Sequence, residues 1–251
     1  MAEYVEGKRP VIEAMKTDVP LKKILLADNA KRDPMVNDIL RKARQRDIPV
    51  IDVPRAELDS KSARGSHQGV MAETKPFPYK GIGDIVDAAE SYAAEHDGRA
   101  LVVVCDHLTD AGNLGAIIRS AESVGASGII IPNKRSAHVE ASTYKSSAGA
   151  VAHLPIAQTS NIVNALERFK KEGFWVCAAT EHSSNELWDV NLKGKIVLVM
   201  GNEQEGISHL VLENCDMAGK LPMMGEIQSL NVAQSATACM YEWLRQNWKQ
   251  D

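Results

Sequence analysis

The sequence predicts an α/β protein whose main domain holds a parallel sheet, preceded by a small α/β accessory domain. Three observations carry this. Four continuous apolar runs, Leu101–Cys105, Gly128–Ile131, Trp175–Ala179 and Ile196–Met200, lack polar alternation, as strands covered on both faces do. Helical patterns at about 113–124, 160–172 and 230–248 lie between or after them. Charge divides the chain: residues 1–75 carry 15 Lys+Arg against 12 Asp+Glu, whereas 76–251 carry 14 against 21.

With 251 residues, 44% of them hydrophobic and 25% charged, the chain can bury a proper core without disulfides or metal, and is neither disordered nor collagen-like. Cys105, Cys177, Cys215 and Cys239 are far apart in apolar surroundings and form no CxxC or Cys/His cluster, so they read as reduced core residues and no metal is expected. The opening MAEYVEGKRP has no apolar signal segment, and the runs Ala100–Cys105 and Ile196–Met200 are far too short to span a membrane. The expectation is a cytoplasmic protein with no membrane partner.

Along the chain, Lys23–Ala27 reads as a strand, and Asp33-Pro34 supplies an N-cap with Pro at the first helical position. Val36, Ile39, Leu40 and Ala43 then share one helical face while Arg41, Lys42, Arg44 and Arg46 crowd the rest. Ile48–Val53 completes a βαβ unit too small for an enzyme site. Its basic helix is either a solvated face or an RNA contact. Ser60–Gly69 is a polar loop in which His67 either meets a base or phosphate or bonds its own loop. The chain then divides into a front domain over 1–75, a linker over 76–98 that passes from a Pro/Gly stretch at 76–84 into an alanine-rich helical pattern, and a main domain over 99–251.

Ligands of open parallel sheets sit beyond the carboxyl ends of the strands, so the loops there are the place for chemistry. After the first strand come Asp106, then Asn113, Gly115 and Arg119; the glycine spacing is not that of a dinucleotide fingerprint. Asn113 and Gly115 read equally as an N-cap and a tight turn, whereas the Arg119 fork, six residues along, suits a phosphate. After the fourth strand, Gly201 and Gly206 bracket Glu203, ahead of a helix starting near Ile207; a ligand loop and a plain turn with an acid facing the helix dipole both fit. Ser229 and Asn231 open the final helix, with Ser229 as its N-cap. No histidine follows His209 to pair with Ser229, which disfavours nucleophilic catalysis.

In this order, N-x-G-x(3)-R, G-N-E-x-x-G and S-L-N-V resemble the three motifs of the SpoU (TrmH-like) RNA 2′-O-ribose methyltransferases. Residues 6–14 (EGKRPVIEA) and 67–70 (HQGV) resemble the front domain of family members that methylate a guanosine of large-subunit (23S) rRNA. The resemblance implies a C-terminal α/β domain tied in a deep trefoil knot, a ribosomal-protein-like front domain that holds RNA, and a homodimer whose site draws on both subunits. It implies S-adenosylmethionine as cofactor, bound through Gly201, Leu221 and Leu230, with Thr180 as a further candidate. In the catalytic set, Arg119 would clamp a substrate phosphate, because a guanidinium is effectively always charged and a poor base. Asn113 would orient the ribose while Glu203, Ser229 and Asn231 hold the loops, a phosphate oxygen or water taking the proton. Lys8, Arg9, Arg64 and His67 would grip RNA; Lys145 has no assigned role. The alternatives are a methyltransferase for an rRNA adenosine, as in antibiotic resistance, or for tRNA, and a non-catalytic knotted RNA-binding protein.

Overall fold

The computed structural model describes residues 4–30, 34–63, 65–226 and 229–248. They form two compact units, one running to Pro78 and taking in Glu140–Lys145, the other comprising Tyr79–Val139 and the chain from Ser146.

In the front unit, strands β1 (Tyr4–Glu6), β2 (Leu21–Ala27), β3 (Val50–Val53) and β4 (Val70–Thr74) alternate with helices α1 (Lys8–Lys16), α2 (Pro34–Gln45) and α3 (Arg55–Lys61). The sheet order is β1-β4-β2-β3, with β2 and β3 parallel as the βαβ reading requires and the other pairs antiparallel. Helix α2 buries Val36, Ile39 and Ala43, the face its spacing predicts. Two basic residues are neutralised at the surface, Arg41 of α2 by Asp38 and Arg46, just past its end, by Asp18. The cap expected at Asp33 lies outside the described residues.

The second unit opens with α4 (Ile82–Glu95), followed by β5 (Ala100–Cys105), α5 (Ala111–Ser123) and β6 (Gly128–Pro132). Helix α6 (Ala141–Ser146) begins in the six residues grouped with the front unit. Next come β7 (Ile156–Thr159), α7 (Ile162–Lys171), β8 (Trp175–Ala179) and β9 (Lys195–Met200). The chain ends with α8 (His209–Glu213), β10 (Met217–Gly219) and α9 (Val232–Asn247). The six strands are parallel, in the order β10-β8-β9-β5-β6-β7. Strands β5 and β6 are buried along their whole length because helices cover both faces. Ile85, Ala89, Leu166 and Phe169 of α4 and α7 pack with Val102, Val104, Val197 and Val199. On α5 and α9, which pack together, Ser120 and Thr237 hydroxyls bond at 2.7 Å.

The linker expectation over 76–98 is corrected by this core. Helix α4 is part of it, with Ile85 and Ala89 fully buried, and Lys80 pairs with Ala157 beside β7, its N–H donating to the Ile156 carbonyl at 2.9 Å. An alanine-rich helix with an apolar face has to bury that face somewhere, and here the parallel sheet receives it.

Candidate active site

Strand order reverses between β5 and β9, and the loops leaving these two strands meet the start of α9. The N-cap of α5 is Asp110, whose carboxylate accepts the Asn113 N–H at 2.6 Å, so Asn113 sits in the first helical turn rather than at the cap. Gly115 is buried inside the same helix and makes no turn. The N-cap of α9 is Asn231, not Ser229: its Oδ1 accepts the Ala233 N–H at 2.9 Å.

Three side chains join into one chain of bonds. Asn113 Nδ2 donates to Glu203 Oε1 at 3.1 Å, and Asn231 Nδ2 donates to Asn113 Oδ1 at 3.0 Å. A carboxylate only accepts, and the Asn231 oxygen is held by a backbone N–H, so both amides have a fixed orientation. The second Glu203 oxygen accepts from the Thr109 N–H and hydroxyl at 3.4 and 3.3 Å, and the first also takes the Asp110 N–H at 3.4 Å. Burial acts to raise the Glu203 pKa, but bonds from its own amide, Asn113, Thr109 and Asp110 outweigh it and hold the group below the ordinary carboxylate range.

The loop carrying Glu203 is itself anchored. Asn202 Nδ2 donates to the His107 carbonyl at 2.8 Å while Asn202 Oδ1 accepts the Gln204 and Glu205 amides. Buried Asp106 accepts the Ser208 N–H at 2.7 Å. Gly201 serves this closure: a Cβ there would lie 2.3 Å from the Gly206 carbonyl carbon. None of the anchors Asp106, Thr109, Asp110 and Asn202 was singled out for this role; a run of short polar residues after a buried strand is their only sequence signal.

Beside this network, a cavity opens at the ends of β8, β9 and β10. Ala179, Thr180, Met200, Leu221, Ser229 and Leu230 line it, and Cys239 belongs to its wall, its thiol pushed by burial up to about 12. Three of the four expected cofactor residues thus meet at one cavity. Gly201 follows the lining residue Met200 but does not itself line it.

The comparisons with known proteins follow the same division. The family model described as SpoU rRNA Methylase matches residues 100–241, and the model described as RNA 2′-O ribose methyltransferase substrate binding matches residues 4–80. The chain belongs to the SpoU methylase family. A Bacillus subtilis relative named as a putative TrmH family tRNA/rRNA methyltransferase, YacO, is 35% identical over 97% of this chain and 95% of its own length. Among solved structures, the SpoU methyltransferase AviRb of Streptomyces viridochromogenes in complex with AdoMet is 26% identical, with a TM-score of 0.66 over 98% of this chain and 90% of that one. An AdoMet-bound rRNA methyltransferase from Sinorhizobium meliloti is 25% identical, with a TM-score of 0.64 over 97% and 87%. The protein is therefore an S-adenosylmethionine-dependent RNA methyltransferase of the SpoU type.

The cavity of this SpoU protein fits that cofactor. Its lining mixes apolar side chains with a few polar ones, as small-molecule sites do. The backbone N–H and C=O groups of Leu221 and Leu230 have no partner among the described residues, leaving donors and acceptors suited to the edge of an adenine. Bound there, the cofactor supplies an electrophilic methyl group. No cluster of metal-ligating residues occurs among the described residues, and no described helix is long and apolar enough to cross a membrane.

Other expected site residues stand apart. Arg119 is exposed, and its guanidinium makes no hydrogen bond or ion pair among the described residues. Six helical residues place it about 9 Å along the axis and a third of a turn round from Asn113, so it does not share that residue's face. His67 is corrected as an RNA contact: it is 1% exposed, its Nδ1 accepts the Gly69 N–H at 3.0 Å and its Nε2 bonds Asp59 at 2.8 Å. Lys8 is also buried, which removes it as a surface contact, whereas Arg9 is exposed. Arg64 lies outside the described residues.

Proposed function

We propose that this methyltransferase acts on a ribose 2′-hydroxyl, and that its substrate is a guanosine of large-subunit (23S) rRNA. The observation that carries the first part is the Glu203–Asn113–Asn231 chain beside the cofactor cavity. It presents oriented amide groups to a polar, uncharged substrate group and offers no nucleophile of its own. Glu203 orients Asn113, Asn113 holds the ribose, and Asn231 ties both to α9, whose approach bounds the cavity at Leu230 and Ser229. Positioning the hydroxyl in line with the methyl accounts for much of the rate in such a displacement. Arg119, exposed and without a hydrogen-bond or ion-pair partner among the described residues, is available to clamp a substrate phosphate.

The front unit supports RNA as the partner through its match to a substrate-binding model, with Arg9 and Arg64 as the remaining contacts of the expected set. The second unit carries exposed Trp188, Tyr241 and Trp248, which supports a homodimer. A trefoil knot accords with a chain that runs from β9 to the far edge strand β10 and returns to pack α9 on α5. The cytoplasm is the proposed compartment, consistent with four free thiols.

The test is transfer of labelled methyl from S-adenosylmethionine into unmodified 23S rRNA, 16S rRNA and tRNA, with identification of the nucleoside formed. Label in 2′-O-methylguanosine of 23S rRNA is the expected result. Label in adenosine or tRNA would replace the substrate, and cofactor binding without transfer to any RNA would overturn the reading.

A further inference from the structure

The groups that hold the ribose sit among acids. The loops leaving β5 and β9, residues 106–110 and 201–208, carry Asp106, Asp110, Glu203 and Glu205 and neither lysine nor arginine. Three of these carboxylates, those of Asp110, Glu203 and Glu205, belong to exposed residues. An RNA backbone crossing this edge of the sheet meets like charge at each step, so its phosphates need cations close beside the site. Arg119 supplies one. The loop on the next strand supplies two more.

Strand β6 is the neighbour of β5 on the side away from β9. In the loop that leaves it, Asn133, Lys134 and Arg135 are exposed while Ala137 and Val139 are buried. The loop is tied to the site. The Leu108 carbonyl, one residue before the Thr109 that bonds Glu203, accepts both the Ala137 N–H at 2.6 Å and the Ser136 hydroxyl at 3.1 Å. Its two ends are pinned as well, the Asn133 N–H donating to the Thr159 carbonyl at 2.9 Å and the Val139 N–H to the Tyr79 hydroxyl at 2.7 Å. At the tip, Arg135 has a left-handed backbone with φ of 54°, uncommon for a residue with a Cβ and concentrated at ligand clamps and other functional sites. Neither the Lys134 ammonium nor the Arg135 guanidinium has a hydrogen-bond or ion-pair partner among the described residues. Two cations on a mobile surface loop are ordinarily a solvated face; this pair is carried by a turn bonded at three points, one of them beside Glu203.

We infer that Lys134 and Arg135 bind the RNA backbone one or two nucleotides away from the ribose held at Asn113. Neighbouring strands lie about 5 Å apart, and a nucleic-acid strand carries one phosphate per about 3.4 Å of duplex axis, so the shift from the β5 loop to the β6 loop matches a step of one or two nucleotides. The inference rests on the reading that the Asn113 chain holds the target ribose. Arg135 offers a planar fork to two phosphate oxygens and Lys134 a compact charge beside it. Both are positioning residues, since they touch no reacting atom. Phosphate contacts fix register without reading sequence, so the turn sets where the substrate lies and leaves the choice of nucleotide to other groups.

The test uses the full chain, S-adenosylmethionine and the RNA that the wild type methylates, so a substrate other than 23S rRNA leaves it in force. A Lys134→Ala/Arg135→Ala double variant is compared with Lys134→Arg/Arg135→Lys, which keeps both charges. The alanine variant should show a slope of log affinity against log salt shallower by about 1 for each cation removed. Its KM for RNA should rise about tenfold or more while kcat stays within about threefold and cofactor affinity within about twofold of wild type. The charge-keeping variant should restore slope and KM. In the same RNA assembled by ligation, an uncharged methylphosphonate one or two nucleotides from the modified ribose should raise KM for the wild type and not for the alanine variant. An unchanged slope or KM, a kcat loss in step with KM, no restoration by the charge-keeping variant, or equal methylphosphonate sensitivity in both proteins would each overturn the assignment. Methylation of a base instead of a ribose, with the salt slope falling as expected, would overturn the underlying reading and leave the phosphate contact standing.

Discussion

At the scale of single residues, the site depends on which atoms donate. Asn113 joins Glu203 to Asn231 because its amide offers a hydrogen to one and an oxygen to the other. Asn113→Asp, with almost the same shape, should set a second carboxylate against Glu203 and lower methyl transfer at neutral pH by at least tenfold; single-turnover kinetics would measure it. Glu203 is held below the ordinary carboxylate range by bonds that outweigh its partial burial. Its contribution to loop order is therefore complete above that range and is lost as pH falls through the depressed folded value. Glu203→Gln removes the charge from an exposed position, so the melting temperature should change little while activity falls at neutral pH. A calorimetric scan beside a transfer assay checks both halves. These bonds were not legible in the sequence: the motif residues were, but Asp106 and Asn202 are recognised only when two loops distant in sequence come together.

At the scale of elements, Asn231 has two duties that one substitution separates. Asp caps a helix as well as Asn does but cannot donate to Asn113. Asn231→Asp should keep thermal stability and lose activity, whereas Asn231→Ala should also cost about 1 kcal/mol of stability, read by denaturant unfolding. The sequence placed this cap two residues early, at Ser229, because Ser and Asn are comparable caps and the apolar pattern does not mark the first turn sharply. Strands β5, β6, β8 and β9 were legible as unbroken apolar runs, but β7 and β10 were not. Strand β10 has only three residues and β7 ends in Gln158 and Thr159, so neither builds a recognisable run at the sheet edges. Spacing in the sequence gives the distance of Arg119 along the helix from Asn113 but hides the angle around it.

At the scale of the whole molecule, the boundary lies where burial puts it. A fragment beginning at residue 79 retains Ile85, Ala89 and the pairing of Lys80, whereas one beginning at 99 lacks the helix that covers one face of the sheet. The first should fold cooperatively, bind S-adenosylmethionine with near wild-type affinity and fail to methylate RNA; the second should not fold. Circular dichroism melts and titration calorimetry decide between these outcomes. The sequence pattern starts the main domain at 99 and groups alanine-rich α4 with the linker, because the helix's low polarity contrast hides which face is buried. The four cysteines have a further use. Burial holds all four thiols at about 12, so at neutral pH only about one in 10⁵ is a thiolate. Cys105, Cys177 and Cys239 lie on β5, β8 and α9, and each can meet an alkylating reagent only when its own element opens. Pulse labelling read by mass spectrometry would therefore time the opening of two strands and one helix of the second unit without any probe being engineered into the protein.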